Sequence, residues 1–495
     1  MTARLLVFLS FALCGMGQWT GGVGVQRLSG RNNHNHHLLG AVNCDDVEEG
    51  TFDGARVDNF VPSSGTWRQR YFINRKLWAG KGAPIFVFIG GEGEEGCGRL
   101  TDRMSLYELA KEHNALLLDV EHRFYGRSVP TQDVSTESLR YLTSEQALAD
   151  LARIIQFVKT EFDTESSPVI TVGGSYPGNL AAFFRAKYPS VTDGSIASSA
   201  PVTATVNFSG YMDVVAQAIE FFGGQKCLNA FTSAADEVYK LYSQGVKSEG
   251  MKKLAADFSV CHDITSMKDV AVLLSDLMGN VQGTVQYNNE HNGVLNVTDI
   301  CAIMVKGDDP YTQFVSLSSE YRKAAGQTCD DGSWADTIAF LSNSTLVLPA
   351  NAARSWVYQT CVEFGYFQTA DSPLQPFYSW RDLLSTQFSS EICSAAYPGL
   401  HSPVPDVAWT NTVYGGLEIV DDSSNIVYTS GTIDPWHFLG VTNYTKEISK
   451  NKDSIVYIQG TAHCADLYAP ANSDPDTLTF ARQVVAEKVR GFLSP

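Results

Sequence analysis

The sequence predicts an α/β fold with a mostly parallel, doubly wound sheet into which a large, mainly helical domain is inserted. Short apolar runs alternate with helical patterns in the first half of the chain, and the same alternation returns near its end. This alternation is typical of βα units in a parallel sheet. Between the two blocks, residues 206–407 carry mostly helical patterns and six cysteines. We therefore expect residues 51–205 and 408–495 to form one sheet domain, and residues 206–407 to form an inserted, disulfide-bearing cap domain.

The strands and helices of the two blocks are predicted from their periodicity. Uninterrupted apolar runs indicate buried strands, whereas apolar residues at helical spacing indicate amphipathic helices. The predicted strands are 85–89, 115–120, 169–172, 195–199, 426–428 and 455–458. The predicted helices are 142–162, 179–188 and 477–492. Ser144 is placed to cap the start of the first of these helices.

Composition and charge narrow the range of functions. The chain has 495 residues, of which 44% are hydrophobic and 18% charged, a balance typical of globular proteins. Its formal net charge is −18. Such a surface repels polyanions, so we expect no nucleic-acid partner and no attraction to anionic membranes. An acidic balance also fits a protein that works at low pH, because protonated carboxylates repel one another less.

The N-terminus has the features of an exported protein. Arg4 is followed by an apolar run over 5–13 and then by small residues, which predicts a signal peptide over 1–18. Residues 19–50 include the run RNNHNHH and are predicted to be a flexible or propeptide segment. Later apolar stretches are too short to span a bilayer, so we expect no membrane anchor. The protein is predicted to be secreted or lysosomal, with the choice between the two left open.

Cysteines and sequons agree with an oxidising compartment. Removal of the signal peptide leaves nine cysteines, so at least one thiol is expected to be left over. The chain contains no CxxC pair, and the three histidines of RNNHNHH have no partner ligand nearby, so no metal and no cofactor are expected. Four sequons are candidate glycan sites; they begin at Asn207, Asn296, Asn343 and Asn443.

The strongest local motif is GGSYPG at residues 173–178. A strand is predicted before it and a helix after it, which is the setting of a nucleophile elbow. Glycine is needed at such a turn because the backbone is strained and the strand and helix come very close together. The motif and its setting predict an α/β-hydrolase with Ser175 as the nucleophile.

A serine nucleophile needs a histidine to accept its proton and a carboxylate to orient that histidine. In α/β-hydrolases the chain order is Ser, Asp or Glu, then His. Asp434 and His463 each follow a predicted strand and therefore lie at the sheet edge where Ser175 emerges. Asp421 and Asp422 precede their strand, whereas His437 shares a loop with Asp434. We therefore predict Ser175, Asp434 and His463 as the catalytic residues; the alternative is that His463 has a structural role.

Two further features concern the transition state and the substrate. An oxyanion hole needs two N–H donors, and the first is predicted to be the N–H of Tyr176, the residue after the nucleophile. Gly91, in a glycine-rich loop after the strand 85–89, is the candidate for the second donor, with Glu92 as its neighbour. Glu92 is also a candidate substrate-binding residue, because a carboxylate there could receive the α-ammonium of a peptide. The alternative for the acidic residues of this loop is a solvated surface.

Several longer segments resemble one family of serine peptidases, which contains lysosomal prolyl carboxypeptidase, dipeptidyl peptidase II and thymus-specific serine protease. The resemblance extends from about Val57 to the C-terminus. The segments that carry it are VDNF (57–60), WRQRYF (67–72), IGGEGE (89–94), EHRFYG (121–126), LRYLTSEQALADLA (139–152), GGSYPGNLAAFFRAKYP (173–189), SIASSAPV (195–202), WVYQTCVEFGYFQT (356–369) and SGTIDPWH (430–437).

The resemblance implies the same nucleophile, carboxylate and histidine: Ser175, Asp434 and His463. It further implies a helical, disulfide-bearing cap and exopeptidase action on short peptides, with proline preferred before the scissile bond. The carboxypeptidase and dipeptidase members have Asn where this chain has Gly91, and the carboxypeptidase has a second histidine where this chain has Cys464. The chain therefore looks closer to the thymus-specific branch.

The sequence leaves several alternatives open. A carboxylesterase or lipase could use the same three residues, and a secreted binding protein could retain a silent site. The end of the peptide that is attacked is undecided, and a homodimer is also left open.

Overall fold

The computed structural model describes residues 42–288, 295–346, 350–443, 445 and 454–494. The predicted signal peptide, the RNNHNHH run and residues 19–41 of the predicted propeptide lie outside the described residues.

An eight-stranded sheet forms the centre of the catalytic domain, with strand order β1-β2-β4-β3-β5-β6-β9-β10. Strand β2 is antiparallel to both of its neighbours, whereas the other neighbouring pairs are parallel. The strands are β1 Val47–Arg56, β2 Thr66–Asn74, β3 Ile85–Ile89, β4 Leu116–Val120, β5 Val169–Gly174, β6 Gly194–Ser198, β9 Ile426–Gly431 and β10 Ile455–Ile458. This topology confirms the predicted mostly parallel sheet.

Helices cover both faces of the sheet, and successive strand residues point into different cores. Val87 packs with the core that contains α3 and α4, whereas Phe86 and Phe88 pack with the core that contains α1 and the last helix. Continuous burial of this kind explains why the central strands read as unbroken apolar runs. The helices of this domain are α1 Ser105–His113, α2 Thr136–Leu139, α3 Ser144–Glu161, α4 Tyr176–Lys187, α13 Val407–Tyr414, α14 Ile419–Asp422 and α15 Asp476–Phe492.

The segment between β6 and α13 is mainly helical and contains three disulfides. They join Cys227 to Cys301, Cys261 to Cys329, and Cys361 to Cys393, so all three are internal to this cap. Its helices are α5 Gly210–Tyr242, α6 Glu249–Asp257, α7 Met267–Gln286, α8 Val297–Met304, α9 Pro310–Ala324, α10 Trp334–Leu341, α11 Ala350–Gln359 and α12 Thr386–Ala396. A short parallel pair, β7 Thr205–Asn207 and β8 Gly365–Phe367, accompanies them. The predicted helical, disulfide-bearing cap is confirmed.

Two sequence-based expectations differ from the structure. Strand β1 begins at Val47, inside the segment expected to be flexible up to residue 50; most of its side chains are at least partly exposed, so no buried run marked it. The cap of α3 is Thr143, whose side chain accepts the N–H of Gln146, while Ser144 is the first helical residue. Cys44 pairs with Cys97, and Cys464 is disulfide-bonded as well. The left-over thiol, which was expected of the chain without its signal peptide, stays a prediction.

Within the described ranges, no helix is both long and apolar enough to cross a membrane.

Candidate active site

Ser175 occupies a strained turn between β5 and α4. Its backbone angles are φ 64° and ψ −131°, a conformation that is rare for a residue with a side chain. Its N–H donates to the carbonyl of Ser198 at 2.9 Å, which fixes the turn to the neighbouring strand β6. A Cβ at Gly173 would lie 2.0 Å from the carbonyl oxygen of Pro177, so only glycine fits before this turn. The strand, turn and helix have the geometry predicted for a nucleophile elbow.

Asp434 and His463 are joined by a hydrogen bond. Nδ1 of His463 lies 2.8 Å from Oδ1 of Asp434, and neither side chain is exposed to solvent. Asp434 also caps the short 3-10 helix Pro435–Leu439, because its Oδ1 accepts the N–H of Trp436 at 2.9 Å. The carboxylate is therefore held on its own loop and in turn holds the imidazole through Nδ1–H. Nε2 is left as the nitrogen that can accept a proton.

The two atoms that a proton transfer would join are both buried and available. Among the described residues, neither Oγ of Ser175 nor Nε2 of His463 has a hydrogen-bond partner. A buried polar atom without a partner is costly in a folded protein and is often retained for function. The hydroxyl and the imidazole are therefore free to engage a reacting group.

All three predicted catalytic residues follow strands at one edge of the sheet. Ser175 follows β5, Asp434 follows β9 and His463 follows β10. The carboxyl edge of a parallel sheet is where α/β proteins bind ligands. The competing carboxylates Asp421 and Asp422 lie before β9, towards the opposite edge.

Neighbouring residues fix the loop of His463. The backbone N–H of His463 donates to the carbonyl of Gln286, at the end of α7 in the cap, at 3.0 Å. Asp466, three residues after His463, accepts hydrogen bonds from the hydroxyls of Ser198 at 2.6 Å and Thr429 at 2.8 Å. The loop is therefore tied both to the cap and to the ends of β6 and β9.

The glycine-rich loop after β3 lies against the elbow. A Cβ on Gly91 would be 2.5 Å from Cγ of Pro177, so the absence of a side chain allows this close approach. The N–H of Gly91 donates to Oε1 of Glu95 over 3.3 Å. Tyr176 is the first residue of α4, and its N–H belongs to the group that has no acceptor within the helix. The two candidate oxyanion donors are thus on adjoining segments.

Glu92 is buried and not part of a solvated surface. It is 2% exposed, and its Oε1 has no hydrogen-bond partner among the described residues. Burial raises the pKa of this carboxyl well above its usual value, although the nearby Arg99 opposes the shift. Tyr125 and Tyr176 are close enough for Glu92 to influence the pKa of their hydroxyls. The carboxyl therefore belongs to the buried surroundings of the elbow.

The residues that hydrogen-bond to the side chain of Tyr176 were not identified from the sequence. Nε2 of His122 and Nε2 of Gln359 each lie 2.9 Å from the hydroxyl of Tyr176. His122 belongs to the EHRFYG segment, and Gln359 is the last residue of α11 in the cap. A usable signal was present: EHRFYG directly follows a buried strand and so had to lie at the same sheet edge as Ser175.

The cap contributes an aromatic-lined cavity of about 120 Å³ beside the loop of Asp434. Trp436 forms part of its wall, and the Trp436 ring is centred 6.3 Å from that of His463. Other aromatic residues that line it are Trp356, Tyr366, Phe367 and Phe388. These rings form one apolar part of a wall that also includes polar residues such as Gln282, Thr337 and Ser385.

The predicted sequon residues lie on the surface. Asn207, Asn343 and Asn443 are exposed, and Asn296 is partly exposed. Asn296 caps α8 through its side-chain oxygen, which leaves its amide nitrogen, the glycan-bearing atom, outside that bond. No cluster of histidine, cysteine or acidic side chains suited to a metal ion occurs in the described part of the chain.

The doubly wound sheet, the elbow at Ser175 and the inserted cap define an α/β-hydrolase. The chain belongs to the serine carboxypeptidase S28 family, whose model matches residues 55–485. It is therefore a serine peptidase, as the resemblance implied.

Curated relatives agree with this assignment. Thymus-specific serine protease of Mus musculus is 33% identical over 440 residues, covering 86% of this chain and 84% of the relative. Lysosomal Pro-X carboxypeptidase of Bos taurus is 29% identical over 462 residues, covering 89% of this chain and 87% of the relative. Among solved structures, proline iminopeptidase of Mycobacterium smegmatis is 13% identical over 86% of this chain and 96% of its own, with a TM-score of 0.36.

Proposed function

We propose that this serine peptidase is an exopeptidase that cleaves short peptides through Ser175, His463 and Asp434, with an acyl-enzyme intermediate. The observation that carries the proposal is the 2.8 Å hydrogen bond between His463 and Asp434, combined with a buried, unpartnered Nε2 and Oγ at the same sheet edge. The carboxylate holds Nδ1–H, so Nε2 is the nitrogen that receives the proton of the serine.

In the proposed reaction, Oγ of Ser175 attacks the peptide carbonyl while its proton passes to Nε2 of His463. Asp434 stabilises the imidazolium that forms. His463 then donates the proton to the leaving amine, and the C–N bond breaks to give the acyl-enzyme. A water molecule, deprotonated by His463, attacks the ester; the acid product leaves and Oγ recovers its proton. No cofactor takes part in these steps.

The negative charge of each tetrahedral intermediate needs donors that point to the oxyanion. The N–H of Tyr176 is the first proposed donor. Gly91 remains the proposed second donor, and its N–H would exchange the 3.3 Å bond to Glu95 for a bond to the oxyanion. The close approach of Gly91 to Pro177 supports this assignment.

A preference for proline before the scissile bond is supported by the aromatic cavity. Its wall includes Trp436, which is two residues after Asp434 and has its ring centred 6.3 Å from that of His463, so the cavity adjoins the loop of the proposed catalytic carboxylate. Rigid aromatic surfaces suit a flat, apolar pyrrolidine ring, which loses little conformational entropy on binding. Lysosomal Pro-X carboxypeptidase, which is similar to this chain, has proline in its name.

Glu92 is the proposed receptor for the α-ammonium of the substrate. Burial disfavours its carboxylate in the free enzyme, and a substrate cation would restore the charged form by forming an ion pair. This interaction would favour attack near the amino terminus. If Glu92 instead stays protonated, it could donate a hydrogen bond to a terminal carboxylate, which would favour attack near the carboxyl terminus.

The proposed location is the lysosome or the extracellular space, reached through the predicted signal peptide. The oxidised cysteines, the surface sequons and the similarity to lysosomal Pro-X carboxypeptidase support it. The homodimer left open by the sequence gains no support from the described residues.

The test is peptide cleavage across pH 4 to 8, followed by mass spectrometry, with Ser175→Ala as the inactive control. Each proline-containing peptide is supplied with free ends, with an acetylated amino terminus and with an amidated carboxyl terminus. Trimming from one end that is lost in Ser175→Ala supports the proposal, and the blocked peptide that resists cleavage identifies the recognised end. Hydrolysis of simple esters without cleavage of any peptide would instead favour the esterase alternative.

A further inference from the structure

The side chain of Tyr176, the residue after the nucleophile, is held from two domains. Its ring is fully buried and packs against His122 of the catalytic domain and Trp356 of the cap. Its hydroxyl lies 2.9 Å from Nε2 of His122 and accepts the side-chain amide of Gln359 at 2.9 Å. The backbone of the same residue carries the proposed oxyanion donor.

The direction of each hydrogen bond follows from its neighbours. Nδ1 of His122 lies 2.7 Å from the carbonyl oxygen of Arg123, so this nitrogen carries the proton and Nε2 accepts from the hydroxyl of Tyr176. Burial lowers the pKa of His122 to about 3, so the ring stays neutral in this arrangement. The hydroxyl of Tyr125 donates to Oε1 of Gln359, which leaves the amide nitrogen of Gln359 to donate to Tyr176.

His122 and Gln359, the two residues that hydrogen-bond to Tyr176, are themselves held by their neighbours. Arg123 makes a bidentate ion pair with Asp150, with N–O distances of 2.6 and 2.7 Å, so the carbonyl that orients His122 has little freedom. Gln359 ends α11 and adjoins the π-helical turn Thr360–Phe364, a feature often found at functional sites. A shift of this part of the cap would therefore move the donor to Tyr176.

We propose that Gln359 is a positioning residue. Through the side chain of Tyr176, it links the position of the cap on the catalytic domain to the orientation of the oxyanion donor. This inference rests on the proposed catalytic roles of Ser175 and the N–H of Tyr176. When the cap is packed on the catalytic domain as in this structure, Gln359 and His122 hold Tyr176 from the two domains, which orients its backbone N–H. Without Gln359, the substrate still binds, but the transition state is less well stabilised.

The test compares Gln359→Leu, Tyr176→Phe and the double variant by steady-state kinetics and by the rate of fluorophosphonate labelling. Small displacements of catalytic groups lower the reaction rate by up to about a hundredfold. Each single variant should therefore lower kcat about tenfold to a hundredfold and leave KM within about twofold. The labelling rate should fall in parallel. The double variant should be no slower than the slower single variant, because both substitutions break the same chain of bonds.

Tyr397→Phe is the matched control. Its hydroxyl donates to the carbonyl of Arg354 inside the cap at 2.6 Å, so the substitution removes one buried hydrogen bond elsewhere. It should lower thermal stability and leave kcat unchanged. If Gln359→Leu does not fold, Tyr176→Phe alone carries the test, since it leaves Gln359 in place.

An unchanged kcat in the folded variants, a change confined to KM, or additive effects in the double variant would overturn the inference. Failure of the proposed function gives a different pattern, in which the wild type itself neither cleaves peptides nor accepts the label at Ser175. Normal wild-type cleavage and labelling, with Gln359→Leu equal to the wild type, would reject the positioning role alone.

Discussion

Glu363 of the cap accepts hydrogen bonds from both the backbone N–H and the hydroxyl of Ser144, the first residue of α3. The backbone N–H lies 3.0 Å and the hydroxyl 2.9 Å from Oε1 of Glu363. The carboxyl is buried and joins the cap to the catalytic domain, and among the described residues it has no arginine or lysine partner. Burial raises its pKa from 4.5 to about 7, although the hydrogen bonds from Ser144 oppose the shift.

This carboxyl should make stability depend on pH. The folded protein binds its proton more tightly than the unfolded chain, so its contribution to the free energy of unfolding is greatest below pH 4.5 and falls as pH rises to about 7. The loss is at most about 3 kcal/mol. Glu363→Gln should flatten this part of the profile in thermal unfolding, whereas the exposed control Glu237→Gln should not. Equal slopes in Glu363→Gln and the wild type would contradict this assignment.

Asp434→Asn should lower kcat about 10⁴-fold while the protein stays folded, because the amide no longer holds the imidazole in the productive tautomer. Asp422→Asn is the matched control, since Asp422 is exposed and precedes β9. It should retain full activity in the same peptide assay. A large loss in the control together with an active Asp434→Asn would reverse the assignment of the carboxylate.

Gly91→Ala should lower kcat by about a hundredfold, because the new methyl group would meet Pro177 and push the loop away from the oxyanion. Gly96→Ala tests the same change in a nearby position with open space around the added Cβ and an extended backbone. Its kinetics should match the wild type. Full activity of Gly91→Ala would exclude the proposed close approach as a requirement for catalysis.

Glu92→Gln should raise KM for peptides with a free amino terminus by roughly ten- to a hundredfold, the value of a lost charged hydrogen bond. Acetylated peptides should be unaffected. Glu94→Gln is the control from the same loop, because Glu94 is partly exposed and pairs with Arg70 and Arg127. Equal effects on free and acetylated peptides would argue against recognition of the ammonium.

Sequence reasoning identified strands that are unbroken apolar runs. Strand β3 has the predicted bounds, and its residues are all buried. Strand β10 also has the predicted bounds, although it lies at the sheet edge and Val456 and Tyr457 are only partly buried. Sequence reasoning missed β1, which lies at the sheet edge and carries charged residues along much of its length. The charged residues that interrupt β1, and not its position in the sheet, separate it from the strands that were identified.

The candidate site, too, could be predicted only in part from the sequence. The loops that carry Ser175, Asp434 and His463 could be predicted because each directly follows a strand, and the order of strands places those ends together. The contact between Tyr176 and Gln359 joins residues 183 positions apart, through a cap whose packing no local pattern specifies. The burial of Glu92 was likewise hidden, because an acidic run usually indicates a solvated surface.

The most direct measurement is to label the protein with a fluorophosphonate and map the adduct by mass spectrometry of proteolytic peptides. We expect one adduct, on Ser175, that disappears in Ser175→Ala and forms far more slowly in Asp434→Asn. An adduct on a different serine, or peptide cleavage that persists in Ser175→Ala, would contradict the central claim that Ser175 is the nucleophile of this peptidase.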